Sequence, residues 1–384
     1  MKTKTMKRIS IYFLLALAMM SVNRKAEAQQ HSQKFCYRQL TGNVGTQLHI
    51  IMNLVKVNDS LYGEYSCLFT GHLESPWTTT DEPVLVLFSG KMNKSGTFRL
   101  REDREWPGDG GPIISGKYTD DGPINATWEL AAAGIKKEPF KLTDNFPEGS
   151  SRFSVQYLAD RAKLIPDAKS PMATIKLALL LPFAAPGPWN ADSLHAQILR
   201  NFPEKSFARG TQDNLLTMIR QDFFNDYVRD NRELYKEMPG ASYSWELNRA
   251  VYICYNANHR VSYGIFSYIF TGGAHGNATH QFSTVDMKTG KVLGLADLFK
   301  PGYEDELSVL LTGKLRKNRH LPGSHKLSDI GYFTDKIQPT RNFYLNENGI
   351  GFCYNQYEIA PYSSGITDIF LTNAELKELL KQPW

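Results

Sequence analysis

Turn signals cut residues 35–143 into pieces too short for anything but strands. Asn58-Asp59-Ser60, Ser89-Gly90, Asn93-Lys94-Ser95-Gly96, Gly108-Asp109-Gly110-Gly111 and Asp120-Asp121-Gly122-Pro123 recur along it. Such clusters supply the positive φ angles and the side-chain-to-backbone bonds that tight turns need. The runs between them are short and partly alternate: Gln47–Leu54, Leu61–Cys67, Val84–Phe88, Thr97–Leu100, Ile113–Tyr118 and Asn125–Trp128. None carries a helical period of useful length. Strands of about 4–8 residues with a turn about every ten predict an all-β antiparallel meander over 29–145, a sandwich or a small barrel.

Asp144 to Ser151 is rich in turn and polar residues, so 146–152 is read as a linker. The rest, 153–384, mixes strands and helices in blocks. That predicts an α+β domain with an antiparallel sheet and packed helices. Ile175–Leu181 reads as a strand, and Asp192 as the cap of a helix to about Asn201. Asp213 opens a longer helix, in which Leu215, Leu216, Met218, Ile219, Phe223, Phe224, Tyr227 and Val228 recur at three- and four-residue steps. Ser244–Cys254 and Arg260–Phe270 read as a hairpin around Tyr255–His259, followed by a strand over Ala278–Asp286. Glu304–Arg316 has a helical pattern, and Phe343–Leu345 pairs with Ile350–Tyr354 across Asn346–Gly349. Thr372 or Asn373 caps a last helix through Leu380.

The N-terminus has a different logic. Lys2, Lys4, Lys7 and Arg8 precede an apolar run from Ile9 to Val22, and Ala26-Glu27-Ala28 offers small residues before Gln29. This is the layout of a cleavable signal peptide over 1–28, so the expected location is secreted or periplasmic. The run is shorter than the roughly 20 apolar residues of a span, and no cysteine stands at the cleavage point for lipid attachment. No later stretch is long and apolar enough to span a membrane either. The segment also holds six of the Lys/Arg residues and one Glu, a charge of +5, which equals the net charge of the whole chain. Residues 29–384 are therefore neutral overall, and nothing in them suggests nucleic-acid binding.

The four cysteines are Cys36, Cys67, Cys254 and Cys353. An oxidising compartment allows disulfides, and pairing within domains gives Cys36–Cys67 and Cys254–Cys353; free buried thiols are the alternative. No CxxC spacing points to zinc or to a redox dithiol.

One group of motifs carries a resemblance. Tyr263 and Tyr268 lead into Thr271-Gly272-Gly273-Ala274-His275-Gly276. Asp286–Lys291 and Leu295–Phe299 follow, then Phe343-Tyr344-Leu345 and Tyr357–Gly365. Residues from about 245 to 380 resemble the RsiV-type C-terminal domain, a domain of unknown function (DUF3298). The stretch from about 155 to 245 is similar in layout to the PdaC-like domain (DUF4163) that usually precedes it. The resemblance implies an exported or membrane-anchored protein. One relative in that family is a receptor that binds lysozyme, and in a peptidoglycan deacetylase the pair accompanies a separate catalytic domain.

The candidate binding residues are Gly272, Gly273, His275, Gly276 and Asn277 in the first loop, and Tyr357, Glu358 and Tyr362 in the second. Glycines permit a tight strand connection, with His275 expected to bond the neighbouring backbone. Tyrosines supply contact area at low entropy cost.

Catalytic motifs are weaker. Asp120-Asp121-Gly122-Pro123 resembles part of a polysaccharide-deacetylase motif but lacks its Phe and its His-x3-His partner, so a turn is expected there. His275 and His280 with Asp286 make too few ligands for the usual zinc site. Glu102, Asp103 and Glu105 beside Trp106-Pro107-Gly108 could grip a sugar, although a solvated loop is the simpler reading. No Gly-x-Ser-x-Gly elbow or phosphate-binding loop occurs. The expectation is a binding module without metal or cofactor, for a lysozyme-like protein or a peptidoglycan fragment. An envelope glycan hydrolase or deacetylase, or an accessory domain of one, is the alternative.

Overall fold

The computed structural model describes residues 34–46, 48–69, 85–102, 112–130, 136–166, 169–183, 190–202, 214–239, 243–382 and 384. The signal segment, Asp103, Glu105, the Trp106-Pro107-Gly108 loop and Asp213 lie outside them. No helix among the described residues is long and apolar enough to cross a membrane.

The N-terminal strands close into an eight-stranded antiparallel barrel. They are β1 (Phe35–Val44), β2 (Leu48–Val57), β3 (Ser60–Phe69), β4 (Val86–Met92), β5 (Thr97–Glu102), β6 (Ile113–Lys117), β7 (Ile124–Leu130) and β8 (Lys136–Asp144). Leu40↔Asp144 and Thr41↔Thr143 seal β1 to β8. Alternate residues fill the interior: Leu48, Ile50, Met52 and Leu54 from β2 meet Tyr65, Phe88, Phe98 and Trp128. Trp128 is fully buried, with Tyr65 edge-on at 5.6 Å. The Asn58-Asp59 turn places Asn58 at φ +55°, a conformation that Asn tolerates. Asp120–Pro123 is the expected turn. Gly122 sits at φ +80°, Arg38 donates to the Thr119 and Gly122 carbonyls, and buried Lys56 pairs with Asp120 at 2.6 Å.

The second half of β2 is buried on both faces, because Val55 and Val57, with Tyr37 of β1, face out of the barrel into a second core. That core belongs to a five-stranded sheet of order β13-β12-β11-β10-β9. Its strands are β9 (Arg152–Lys163), β10 (Met172–Phe183), β11 (Trp245–Ala257), β12 (Arg260–Phe270) and β13 (Asn277–Asp286). Helices α1 (Ala191–Asn201) and α2 (Leu215–Glu237) lie between β10 and β11. That connection makes β10 and β11 parallel, whereas the other pairs are antiparallel. Leu215, Ile219, Phe223 and Tyr227 of α2 are the buried stripe. Helix α1 starts at Ala191, so Asp192 sits in its first turn rather than at its cap. The turn expected over Tyr255–His259 shortens to Asn258-His259, both at positive φ.

The C-terminal part is a three-stranded sheet, β14 (Phe343–Asn346), β15 (Gly349–Tyr354) and β16 (Thr367–Thr372). It packs with α3 (Leu295–Leu298), α4 (Glu304–Asn318) and α5 (Asn373–Leu376) around a third core. Thr372 caps α5 through a reciprocal bond with Glu375, but the helix ends at Leu376, before the expected Leu380.

The 145–152 segment is packed: Phe146 lies edge-on to Tyr37 at 6.3 Å, and the Arg152 guanidinium sits 3.2 Å from its ring centre. Buried Asn256 of β11 bonds Gln39 of β1 and both backbone groups of Ser151. Ser66 of β3 donates to Glu347 at 2.7 Å, tying the barrel to the β14–β15 hairpin.

The expected disulfides do not form: all four cysteines are free thiols. The register explains the first pair. Cys36 stands opposite Lys56, and Lys56 opposite Leu61, so Cys67 lies six positions further along β3. At about 3.3 Å per residue this separation exceeds the roughly 7 Å limit between bridged Cα atoms. Cys254 and Cys353 share a small cluster with Tyr252, Phe282, Tyr344 and Phe370, but remain unbonded there as buried apolar residues.

Candidate functional site

Strand β13 is an edge of its sheet, and its outward amides need partners. Two asparagines supply them. Asn355 Oδ1 accepts from the His280 amide at 2.8 Å, and Asn342 Oδ1 from that of Phe282 at 2.7 Å. Both amide groups also donate to the His280 carbonyl, at 3.1 and 2.8 Å. These four bonds clamp the residue before β14 and the residue after β15 onto β13, and the Asn355 pair brings the two predicted loops together.

The first loop joins β12 to β13. Gly272 and Gly273 adopt φ +95° and +90°, which only glycine enters freely. Gly276 is needed for a different reason: a Cβ there would lie 2.5 Å from the Tyr268 ring. The Gly276 carbonyl is the anchor. The Tyr362 hydroxyl donates to it at 2.8 Å, and His275 Nδ1 stands 3.0 Å from it. The His275 ring stacks on Tyr362, with centroids 3.7 Å apart and planes inclined by 22°. Tyr357 lies 5.9 Å from Tyr362, is 59% exposed and has φ +69°. The other non-glycine residues at positive φ among the described residues are Asn and His in turns or at a helix end; a bulky aromatic there is a genuine outlier. Held strain of this kind gathers at binding sites. His275, Gly276, Tyr357 and Tyr362 thus form one cluster. Gly272 and Gly273 shape the loop tip, Asn277 opens β13 opposite Ile269, and Glu358 accepts a long 3.4 Å bond from Asn355.

His280 is separate. It lies among Tyr252, Phe266 and Phe282, with Nδ1 3.1 Å from the Tyr252 hydroxyl, and burial lowers its pKa to about 4. Among the described residues no three His, Cys, Asp or Glu side chains gather as a metal site. Burial raises the pKa of the Cys67, Cys254 and Cys353 thiols, the opposite of what activates a nucleophile.

Beside the second loop lies a cavity of about 470 Å³ that the sequence reading missed. Arg319 at the end of α4, Tyr332, Gln356, Tyr362, Ser363 and Ser364 line it. Arg319 Nε donates to the Tyr332 hydroxyl at 2.9 Å, and Gln356 Oε1 is covered and has no hydrogen-bond partner. The basic end of a helix is visible in a sequence, but its meeting with residues some forty positions later is not. A second concavity, of about 640 Å³ near Tyr303, Arg341 and Phe343, shares no residue with it.

Comparison with known proteins places the two loops. The family described as "Protein of unknown function (DUF3298)" matches residues 296–373. These residues are a DUF3298 domain. The crystal structure of a DUF3298 family member from Bacteroides fragilis NCTC 9343 is 25% identical with a TM-score of 0.56, covering 62% of this chain and 96% of its own. A DUF3298 family structure from Pseudomonas aeruginosa PAO1 is 19% identical with a TM-score of 0.41, covering 60% of this chain and 96% of its own. The peptidoglycan-N-acetylmuramic acid deacetylase PdaC of Bacillus subtilis (strain 168) is 27% identical over 141 residues, which is 36% of this chain. The match spans only 30% of that relative's length. The second loop and the residues lining the cavity fall inside the DUF3298 domain, and the first loop precedes it.

Proposed function

We propose that this chain is an exported cell-envelope protein that binds a peptidoglycan-related ligand without transforming it, on the surface formed by residues 271–277 and 355–365. The carrying observation is the His275–Tyr362 stack, tied to one carbonyl and flanked by exposed, strained Tyr357. Stacked aromatic rings fixed before binding present contact area with little rotamer entropy left to lose. His275 is committed to that stack, which suits contact better than proton transfer. The similarity to a peptidoglycan deacetylase supports an envelope ligand, and the basic, apolar and small-residue order of residues 1–28 supports export.

The test is calorimetric titration of the purified protein with soluble peptidoglycan fragments and, separately, with lysozyme, while mass spectrometry follows the fragments. Fragments should bind and be recovered unchanged, and Tyr357→Ala should weaken binding about tenfold or more. Binding of lysozyme alone would replace the glycan with a protein partner. Turnover of the fragments would overturn the non-catalytic reading.

A further inference from the structure

The cavity beside Tyr362 has a chemistry more specific than a general contact surface. Arg319 is exposed, and its guanidinium has no carboxylate partner among the described residues. Its Nε is held by the Tyr332 hydroxyl and its Cζ lies 5.9 Å from that ring's centre, so the terminal nitrogens are positioned yet uncommitted. A fixed guanidinium with free donors matches a carboxylate in fork geometry. Tyr332, Tyr362, Ser363 and Ser364 line the same space. Gln356 also lines the space, with its Nε2 3.5 Å from the Tyr362 carbonyl. A volume of about 470 Å³ lies within the roughly 300–1,000 Å³ of ordinary small-ligand sites.

We infer that this cavity takes a sugar ring bearing a carboxylate, with the carboxylate on Arg319. The aromatic rings cover the apolar face of the sugar, and the two serine hydroxyls meet its hydroxyl groups. This assignment rests on the binding reading above and narrows it to one chemical class.

The experiment is calorimetric titration of the full protein with three probes. They are the disaccharide of N-acetylglucosamine and N-acetylmuramic acid, its counterpart with the carboxyl reduced to an alcohol, and the uncharged disaccharide of N-acetylglucosamine. The acid should bind about ten- to a hundredfold more tightly than either neutral probe, the usual value of a charge-assisted contact. That preference should shrink with added salt and vanish in Arg319→Gln, while Arg319→Lys recovers part of it. Because Arg319 also touches Tyr332, thermal unfolding of each variant checks that the fold persists. Equal affinity for all three probes, still sensitive to Tyr357→Ala, would overturn the carboxylate assignment and leave the binding surface standing. No binding of any probe, where larger peptidoglycan fragments do bind, would overturn the cavity as the site. No binding of any glycan would sink both.

Discussion

Acidification should destabilise this protein through His280 in a defined window. Its imidazole lies among Tyr252, Phe266 and Phe282, and burial lowers its pKa from 6.5 to about 4. The unfolded chain takes up the proton near 6.5, and the folded chain only near 4. Between those values the unfolded state binds more protons, so stability falls as pH falls, and the loss levels off below 4. At about 1.4 kcal/mol per tenfold change in proton affinity, the interval amounts to about 3 kcal/mol. The residue as a whole is only half-buried, so that figure is a ceiling. Urea unfolding at closely spaced pH values from 7.5 to 4, on the wild type and on His280→Gln, isolates the contribution. The wild type should lose up to about 3 kcal/mol more than the variant over that range. A ring titration by NMR should place the midpoint near 4. A midpoint near 6.5 with parallel stability curves would refute the burial argument.

Other consequences can be checked with single variants. Gly276→Ala pushes a Cβ into the Tyr268 ring and should cost about 1–3 kcal/mol in urea unfolding, with weaker ligand binding; an unchanged midpoint would show that the ring simply swings away. Glu64 is 1% exposed, its Oε2 has no partner, and burial followed by the charge of Glu347 raises its pKa well above 4.5. The folded state therefore holds a proton that the unfolded state has released, and this group weakens the fold as pH rises from 4.5 through its folded value. Glu64→Gln should raise the unfolding midpoint at pH 7.5 and flatten that slope, whereas a lower midpoint counts against it. Native labelling with a thiol reagent should reach Cys36 at most, with Cys67, Cys254 and Cys353 reacting only after unfolding. A mass deficit that disappears on reduction would revive the disulfides.

The parts of this fold written in local patterns were legible in the sequence. Six of the eight barrel strands follow from the turn residues between them, whereas β1 and β8 were not read and Ser89-Gly90, expected as a turn, lies inside β4; the buried stripe of α2 follows from its three- and four-residue steps. Strand β9 was not legible: Arg152, Asp160, Arg161 and Lys163 are exposed at the sheet edge and blur the alternation. The α1 cap failed because Asn190 already bonds the Met287 and Lys288 carbonyls, a tertiary preference overriding a local one. Both candidate loops were visible as glycine- and tyrosine-bearing segments. Their union was not, because it depends on Asn342 and Asn355 finishing the edge of β13 from positions 60 and 75 residues away. Disulfide pairing failed for a related reason: spacing says nothing about register, and register separates Cys36 from Cys67.

The most direct test of the recognition surface is amide hydrogen exchange, read peptide by peptide, with and without bound peptidoglycan fragment. The account predicts new protection concentrated in 271–277 and 355–365, on loops already slow to exchange in the free protein because the His275–Tyr362 stack holds them. Protection confined to the barrel, or loops that exchange freely until ligand is added, would contradict it.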